Sequence, residues 1–408
     1  MMKLYKHQQE LLDRNPKKHL LAWGCGSGKS LAAMILAEIN DQTQSRLLIF
    51  PKSLRDQWLE NTIAPHSRNP MSWIMVSKEE FRKNWDKIPA CNSICVDEAH
   101  FFSNYKSAMT KSLLAYIKKH NPQNIYLLSA TPYLSSVWNI YTLGLILGRQ
   151  WKWYQWNQMC FSQVKMGSRL KMGSRLIPIQ KKKINGKPTT EWVAEVIRTL
   201  GNTVALEDIF DVPDQQYITE YFDLTTEQKS AIKELTDTTA IVLWTKTHQI
   251  CGGTQKSDGY SPDAFYKCEK LNRLKELLAE HKKAIVVCRY NNELEYLKRE
   301  LGYGSIINGS VKDKHSIIKE ANASNKCLIL TQAACSEGWE APDIPVMIFY
   351  SLDFSLKNAI QMQGRIQRAN NIKKNIYIYL VVADTIDNDV YKCINKKKDF
   401  DIALYEKS

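Results

Sequence analysis

The chain of 408 residues predicts an α/β protein of two lobes, each built on a parallel sheet, with a basic insertion between them. Three observations carry this reading. Short apolar runs alternate with amphipathic segments as far as about Gly148, and the same alternation resumes from about Tyr217. The stretch between them is aromatic and basic, and Asn185-Gly186 within it signals a hairpin. The expected boundaries are 1–148, 149–216 and 217–408. A length prior of roughly 150 residues per domain agrees.

In the first lobe, "HQQELLDRN", "SLAAMILAEIN", "LRDQWLENTI" and "SLLAYIKKH" have helical patterning. Between them "HLLAWG", "RLLIFP", "WIMVS", "SICVDEAH" and "NIYLLSATP" are short apolar runs. Such runs, lacking a polar face, suit parallel strands covered by helices on both sides. In the insertion, "RLIPIQKKKINGKPTTEWVAEV" places Asn185-Gly186 between two extended, partly alternating arms, with Pro178 and Pro188 confining those arms to edges or ends. The second lobe alternates "TEQKSAIKEL", "KLNRLKELLAEH" and "NELEYLKREL" with "KAIVVCRY", "KCLILTQ", "VMIFYSL" and "NIYIYLVV". A second parallel sheet follows from that order.

Composition narrows the class. At 44% hydrophobic and 24% charged, the chain is a folded protein. It has no run of about 18 apolar residues and no apolar signal region, so a cytoplasmic protein without a membrane partner is expected. Ten cysteines are scattered without metal-ligand spacing, which favours reduced, buried thiols over zinc.

The formal charge of +14 has one source. From Ala99 to Thr190 there are 14 Lys or Arg and no Asp or Glu, and outside that segment 42 basic residues balance 42 acidic ones. A field so concentrated attracts a polyanion, of which nucleic acid is the usual one; the alternative is a solvated lysine-rich surface. The segment also contains Lys-Met-Gly-Ser-Arg-Leu twice in succession, from Lys165 to Leu176. Six residues preserve the face of a strand, whereas they would rotate a helix by roughly 240°. The alternative origin of the duplication is a replication accident.

Two motifs point to phosphate chemistry. "AWGCGSGKS" follows an apolar run and opens a helical one. There Gly26, Ser27 and Gly28 free backbone N–H groups to wrap phosphates, Lys29 reaches the β/γ-phosphates and Ser30 ligates Mg²⁺. The strict pattern has Gly where Trp23 stands, and the alternative is a glycine-rich turn. "SICVDEAH" is a strand ending in two carboxylates: Asp97 is placed to hold hydrated Mg²⁺ and Glu98 to polarise the attacking water.

Asp97-Glu98-Ala99-His100, Ser129-Ala130-Thr131 and "QMQGRIQR" at 361–368 resemble motifs II, III and VI of superfamily-two helicases, in that order. "LYKHQQELL", "FPKSLRDQW", "DEAHFFSNYKSAMTKSL", "KLNRLKELLAEHKKAIVVCRY" and "TQAACSEGWEAPD" narrow the resemblance to the Swi/Snf-type branch of DNA translocases, in a compact phage or prokaryotic form. The resemblance covers nearly the whole chain except its middle.

It implies two RecA-like lobes and an ATP-dependent DNA translocase or helicase, with Mg-ATP hydrolysed at the interlobe cleft and duplex or branched DNA as track. It further implies that Gln8 reads adenine, Arg365 and Arg368 act as arginine fingers, and Gln361 faces the attacking water. His100, Ser129, Thr131 and Gly338 would couple hydrolysis to movement. Trp339 finds no explanation in it. A nuclease, replication or recombination partner, in a bacterial or phage-infected cell, would suit such a motor. The rivals are an RNA helicase and a nucleic-acid-binding scaffold with a decayed motor.

For the track, Lys52, Lys152, Lys165, Arg169, Lys171, Arg175, Lys181, Lys182 and Lys183 are the candidate phosphate contacts. Trp151, Trp153, Tyr154 and Trp156 are either base-stacking rings or a packed hydrophobic cluster. The hairpin would serve as a wedge at a fork or as a phosphate clamp.

Overall fold

The computed structural model describes residues 4–133, 136–165, 176–205, 208–209, 214–235, 239–257, 263–311, 313–335, 339–367 and 374–396; of 163–165 and 176–179 it describes the backbone alone. Two compact units emerge, 1–210 and 211–408.

The first unit runs α1 (Lys6–Arg14), β1 (Lys18–Trp23), α2 (Lys29–Asn40), β2 (Arg46–Phe50), β3 (Trp73–Ser77), α3 (Lys78–Asn84), β4 (Ser93–Val96), α4 (Ala108–His120), β5 (Asn124–Leu128), α5 (Val137–Ile146) and α6 (Trp153–Cys160). There follow β6 (Phe161–Lys165), β7 (Leu176–Gln180), β8 (Lys183–Ile184), β9 (Lys187–Pro188), α7 (Thr189–Leu200) and β10 (Gly201–Val204). Its six-stranded sheet has the order β10-β1-β5-β4-β2-β3 and every pairing is parallel.

The expected apolar runs are the central strands, and successive residues in them serve opposite cores. Leu20, Leu47, Ile49, Ile94, Val96, Ile125 and Leu127 pack with Leu113 and Tyr116 of α4 and with Ile140 and Leu143 of α5. Leu21, Leu48, Phe50, Cys95, Tyr126 and Leu128 pack with Leu11 of α1 and with Ala33, Leu36 and Ala37 of α2. A strand covered on both faces has no need of a polar residue, which is why these runs do not alternate. All ten cysteines are unpaired and seven are buried.

The first unit extends beyond Gly148 because the end of the basic segment completes its sheet. Gly201, Asn202, Thr203 and Val204 pair with Leu20, Leu21, Ala22 and Trp23. A Cβ on Gly201 would sit 1.8 Å from the Leu20 carbonyl oxygen, so this close approach requires glycine.

The hairpin is present in altered form. Asn185 and Gly186 both have positive φ, 51° and 80°, as a tight two-residue turn demands, but its arms β8 and β9 are only two residues each. The longer arm β7 pairs instead with β6, antiparallel, and the other expected arm is helix from Thr189 onward. Trp192, Val193, Ile197 and Leu200 form one buried face of that helix in the first core, and this packing decides the segment. The hexapeptide repeat falls almost wholly outside the described residues.

The second unit runs β11 (Gln216–Phe222), α8 (Thr226–Lys233), α9 (Ala240–Cys251), β12 (Thr254–Gln255), β13 (Ala264–Phe265), α10 (Glu269–Glu280), β14 (Lys283–Cys288), α11 (Asn291–Leu301), β15 (Ser305–Ile307), α12 (Lys314–Ala323), β16 (Cys327–Gln332), β17 (Val346–Phe349), α13 (Leu356–Gln363), β18 (Ile376–Val382) and α14 (Ile386–Asn395). Its main sheet, β11-β18-β17-β14-β16-β15, is again wholly parallel. Among the described residues no helix is long and apolar enough to cross a membrane.

Candidate functional site

Parallel pairing puts the carboxyl ends of β1, β2, β4 and β5 on one edge of the first sheet, where such folds present their ligand-binding loops. The loop after β1 turns tightly into α2. Gly26 and Gly28 have φ of 79° and 78°, Gly28 is the N-cap, and Lys29 and Ser30 are the first two helical residues. Ser27 is fully buried, its hydroxyl donating to the Gly24 carbonyl at 2.7 Å, and Gly24 N–H donates to Val204 O at 2.9 Å.

Helix α1 braces this loop from outside. The Gln8 amide donates to Gly28 O at 3.0 Å and its carbonyl accepts from Tyr5 N–H at 2.9 Å, while the His7 ring nitrogen lies 2.9 Å from Ser27 O. Among the described residues Gln8 thus uses one donor and one acceptor on the chain. Trp23, standing where a stricter loop has Gly, is the last residue of β1. It is fully buried, donates through Nε1 to Asn202 Oδ1 at 2.9 Å, and meets the His7 ring edge-on at 4.7 Å. His7 was not singled out by sequence, although it immediately precedes Gln8.

Beyond β4, Asp97 continues the ladder through its N–H to Ile49 O at 2.8 Å. Its carboxylate accepts from Trp58 Nε1 at 2.7 Å and from Glu98 N–H at 2.9 Å. Burial first, and Glu98 second, push the Asp97 carboxyl up to about 6, against the pull of Lys29 and the two hydrogen bonds. Glu98 has φ 48° and ψ 51°, a left-handed conformation rare outside glycine. Its carboxylate lies 3.1 Å from His100 Nδ1.

From there a chain of contacts leads away. His100 Nδ1 is 3.4 Å from Ser129 Oγ, which accepts from Thr131 N–H at 3.2 Å. Ser103 Oγ donates to His100 O at 2.6 Å and accepts from Asn139 Nδ2 of α5 at 2.9 Å. Gln8, Gly26, Ser27, Gly28, Lys29, Ser30, Asp97, Glu98, His100, Ser129 and Thr131 therefore all stand on one lobe at one sheet edge. Trp58, Ser103 and Asn139 escaped sequence reasoning. The only signals were Trp58 as the last letter of "FPKSLRDQW" and Ser103 within "DEAHFFSNYKSAMTKSL".

In the second unit, Gln361 lies in α13 and Arg365 follows it, both buried. The Arg365 guanidinium donates to Gln361 O at 3.1 Å and to Trp339 O at 2.9 Å. Trp339 donates its own Nε1 to Cys335 O at 2.8 Å. The residue with no counterpart in the resemblance thus anchors the arginine. Gly338 and Arg368 lie outside the described residues.

The candidate track residues scatter over the first unit. Lys52 is exposed after β2, Lys152 is exposed before α6, and Lys182 and Lys183 are exposed before the small turn. Lys181 donates through Nζ to Gln158 O at 3.1 Å. Arg169, Lys171 and Arg175, and the Lys165 side chain, are outside the described residues. The aromatic group divides: Trp156 is buried and Trp151 half-buried, stacked together at 4.8 Å, whereas Trp153 and Tyr154 are 49% and 56% exposed.

The helicase conserved C-terminal domain model matches residues 269–370, within the second unit. That span includes "TQAACSEGWEAPD" and "QMQGRIQR", hence Gly338, Gln361, Arg365 and Arg368. No curated protein matches the chain. Among solved structures, the Sulfolobus solfataricus SWI2/SNF2 ATPase core in complex with dsDNA is similar at 16% identity and a TM-score of 0.42, over 97% of this chain and 91% of that one. A likeness of that score is too loose to bear on the site.

Proposed function

We propose that the chain is an ATP-dependent DNA translocase or helicase. The observation that carries it is the single sheet edge holding the phosphate loop, Asp97, Glu98 and the contacts from His100 to Ser129. The helicase domain match in the second unit supports it independently.

In this reading the backbone N–H groups around Ser27, Gly28 and Lys29 bind the phosphates at the α2 N-terminus, and Lys29 holds the γ-phosphate. Gln8 and His7 keep the loop in shape. The site fits Mg²⁺: Ser30 and Asp97 offer hard oxygen donors, and Asp97 is a buried carboxylate that accepts from two neutral N–H groups. Bound there, Mg²⁺ would neutralise charge on the β- and γ-phosphates. Glu98, aimed by its backbone and held by His100, orients the attacking water and takes its proton. The resemblance assigns transition-state charge to Arg365 and Arg368 and the water-facing role to Gln361. For Arg365 this entails release from the carbonyls that now hold it.

A polyanionic track is favoured because all of the excess positive charge falls in the acid-free segment of the first lobe, and the resemblance to Swi/Snf-type translocases favours DNA over RNA as that track. The ATP reading is tested by pairing ATP binding with turnover in two variants. Glu98→Gln should bind ATP like the parent yet lose roughly 10²–10⁴-fold in turnover, and Lys29→Ala should lose both. Full ATPase activity in both variants would sink the site assignment.

A further inference from the structure

Trp153 is a half-exposed indole in a prepared position. Its ring lies parallel to Trp138 of α5, with centroids 5.7 Å apart and planes 17° apart, and Trp138 lies on Phe161 at 5.3 Å and again 17°. Tyr141 meets Trp138 edge-on at 5.4 Å, and Tyr105 leans on it at 5.3 Å. Trp138 is therefore fixed from several sides, and Trp153 ends a ladder of three rings. Among the described residues Trp138 is the only ring that touches Trp153.

Packing does not account for that end ring. Trp156, one turn later on the same helix, is buried against Trp151 and Trp192, so α6 already has its anchor. Trp153 and the neighbouring Tyr154 instead hold broad aromatic surface in water, beside the exposed Lys152. Lys106 stands 5.6 Å from the Tyr105 ring. The segments that contribute Tyr105, Trp138, Tyr141, Trp153, Tyr154 and Phe161 contain no carboxylate, whereas the buried Trp192 of α7 has Glu191 and Glu195 near it in sequence. Rigid ring, open surface and cations without acids suit a flat, anionic, aromatic ligand.

We propose that Trp153, backed by Trp138, stacks on an unpaired base of single-stranded DNA whose phosphates lie among Lys152 and its neighbours. The ligand is an unpaired nucleotide because bases within a duplex are already covered on both faces. The site is then one for a gap, a fork or a free end. This rests on the nucleic-acid reading above and deepens it by naming the form of DNA bound at this face of the first unit.

The test measures binding of fluorescein-labelled oligothymidylate and of a blunt duplex of equal length, by anisotropy, to the full chain and to Trp153→Ala and Trp153→Phe. Loss of one base stack predicts that Trp153→Ala weakens oligothymidylate binding by roughly 5- to 150-fold. Duplex binding should change less than about twofold, and Trp153→Phe should restore most of the loss, as a stacking role requires. With 5-iodouracil in the oligonucleotide, photocrosslinks should map to Trp153 or Tyr154. Equal oligothymidylate binding by parent and Trp153→Ala overturns the proposal, as does an equal loss on both DNAs. If either occurs while DNA still stimulates ATP hydrolysis, the stacking site alone falls. If the parent binds neither DNA and no DNA stimulates hydrolysis, the nucleic-acid reading falls with it.

Discussion

Glu98 and Gly28 both occupy left-handed backbone, for different reasons. At Gly28 the conformation lets the loop turn into α2 against Gln8: a Cβ there would lie 2.4 Å from Gln8 Nε2. Gly28→Ala therefore meets backbone strain of about 1–2 kcal/mol together with displacement of the brace. ATP affinity should fall at least severalfold while the protein stays folded, measured by equilibrium titration; unchanged affinity would mean that the loop is not held as described. At Glu98 a side chain is retained despite the strain, which Glu98 N–H to Asp97 and the contact with His100 offset. Strain kept at a carboxylate is what the proposed role of Glu98, aimed at a water, requires. Asp97, Glu98 and Lys29 were legible because their neighbours in sequence place them. Trp58 was not, because it reaches Asp97 across 39 residues through tertiary packing that no local pattern encodes. The carbonyls that hold Arg365 were hidden likewise: Trp339 lies 26 residues away.

At the scale of elements, the central strands were legible from their apolar runs, whereas β10 was not: "GNTV" is short, and only its contact with β1 makes it a strand. Helix α9 was also missed, and it carries a buried charge network. Lys270 of α10 donates to Asp387 of α14 at 2.6 Å, and His248 of α9 lies 3.3 Å from the same carboxylate. Burial alone would raise the Asp387 pKa, but Lys270 first and His248 second outweigh it and hold the group at about 2. Asp387→Asn leaves the Lys270 ammonium buried without its counter-charge, which should cost about 3–5 kcal/mol. Chemical unfolding at neutral pH, followed by a second-lobe signal, checks this. Because the folded pKa is below the unfolded one, Asp387 contributes fully above about pH 4 and loses its contribution as pH falls through about 2. The gap between parent and variant should close over that range; a gap independent of pH would assign the loss to packing instead of charge.

For the molecule as a whole, the charge distribution was the most legible feature and the doubled hexapeptide the least. The basic excess lies entirely within the first unit. If Lys181, Lys182 and Lys183 touch phosphates, their joint replacement by Ala should lower the magnitude of the log K versus log salt slope by up to roughly 0.9 per lost contact on duplex DNA. An unchanged slope would remove these lysines from the track. The central claim, a nucleotide motor driven on DNA, is tested most directly by steady-state ATP hydrolysis without nucleic acid and with duplex, single-stranded or forked DNA or RNA, against Glu98→Gln as background. The account predicts hydrolysis stimulated by DNA above RNA, most strongly by duplex or branched forms, and abolished in the variant. Stimulation chiefly by RNA, or no hydrolysis above the variant under any condition, would contradict it.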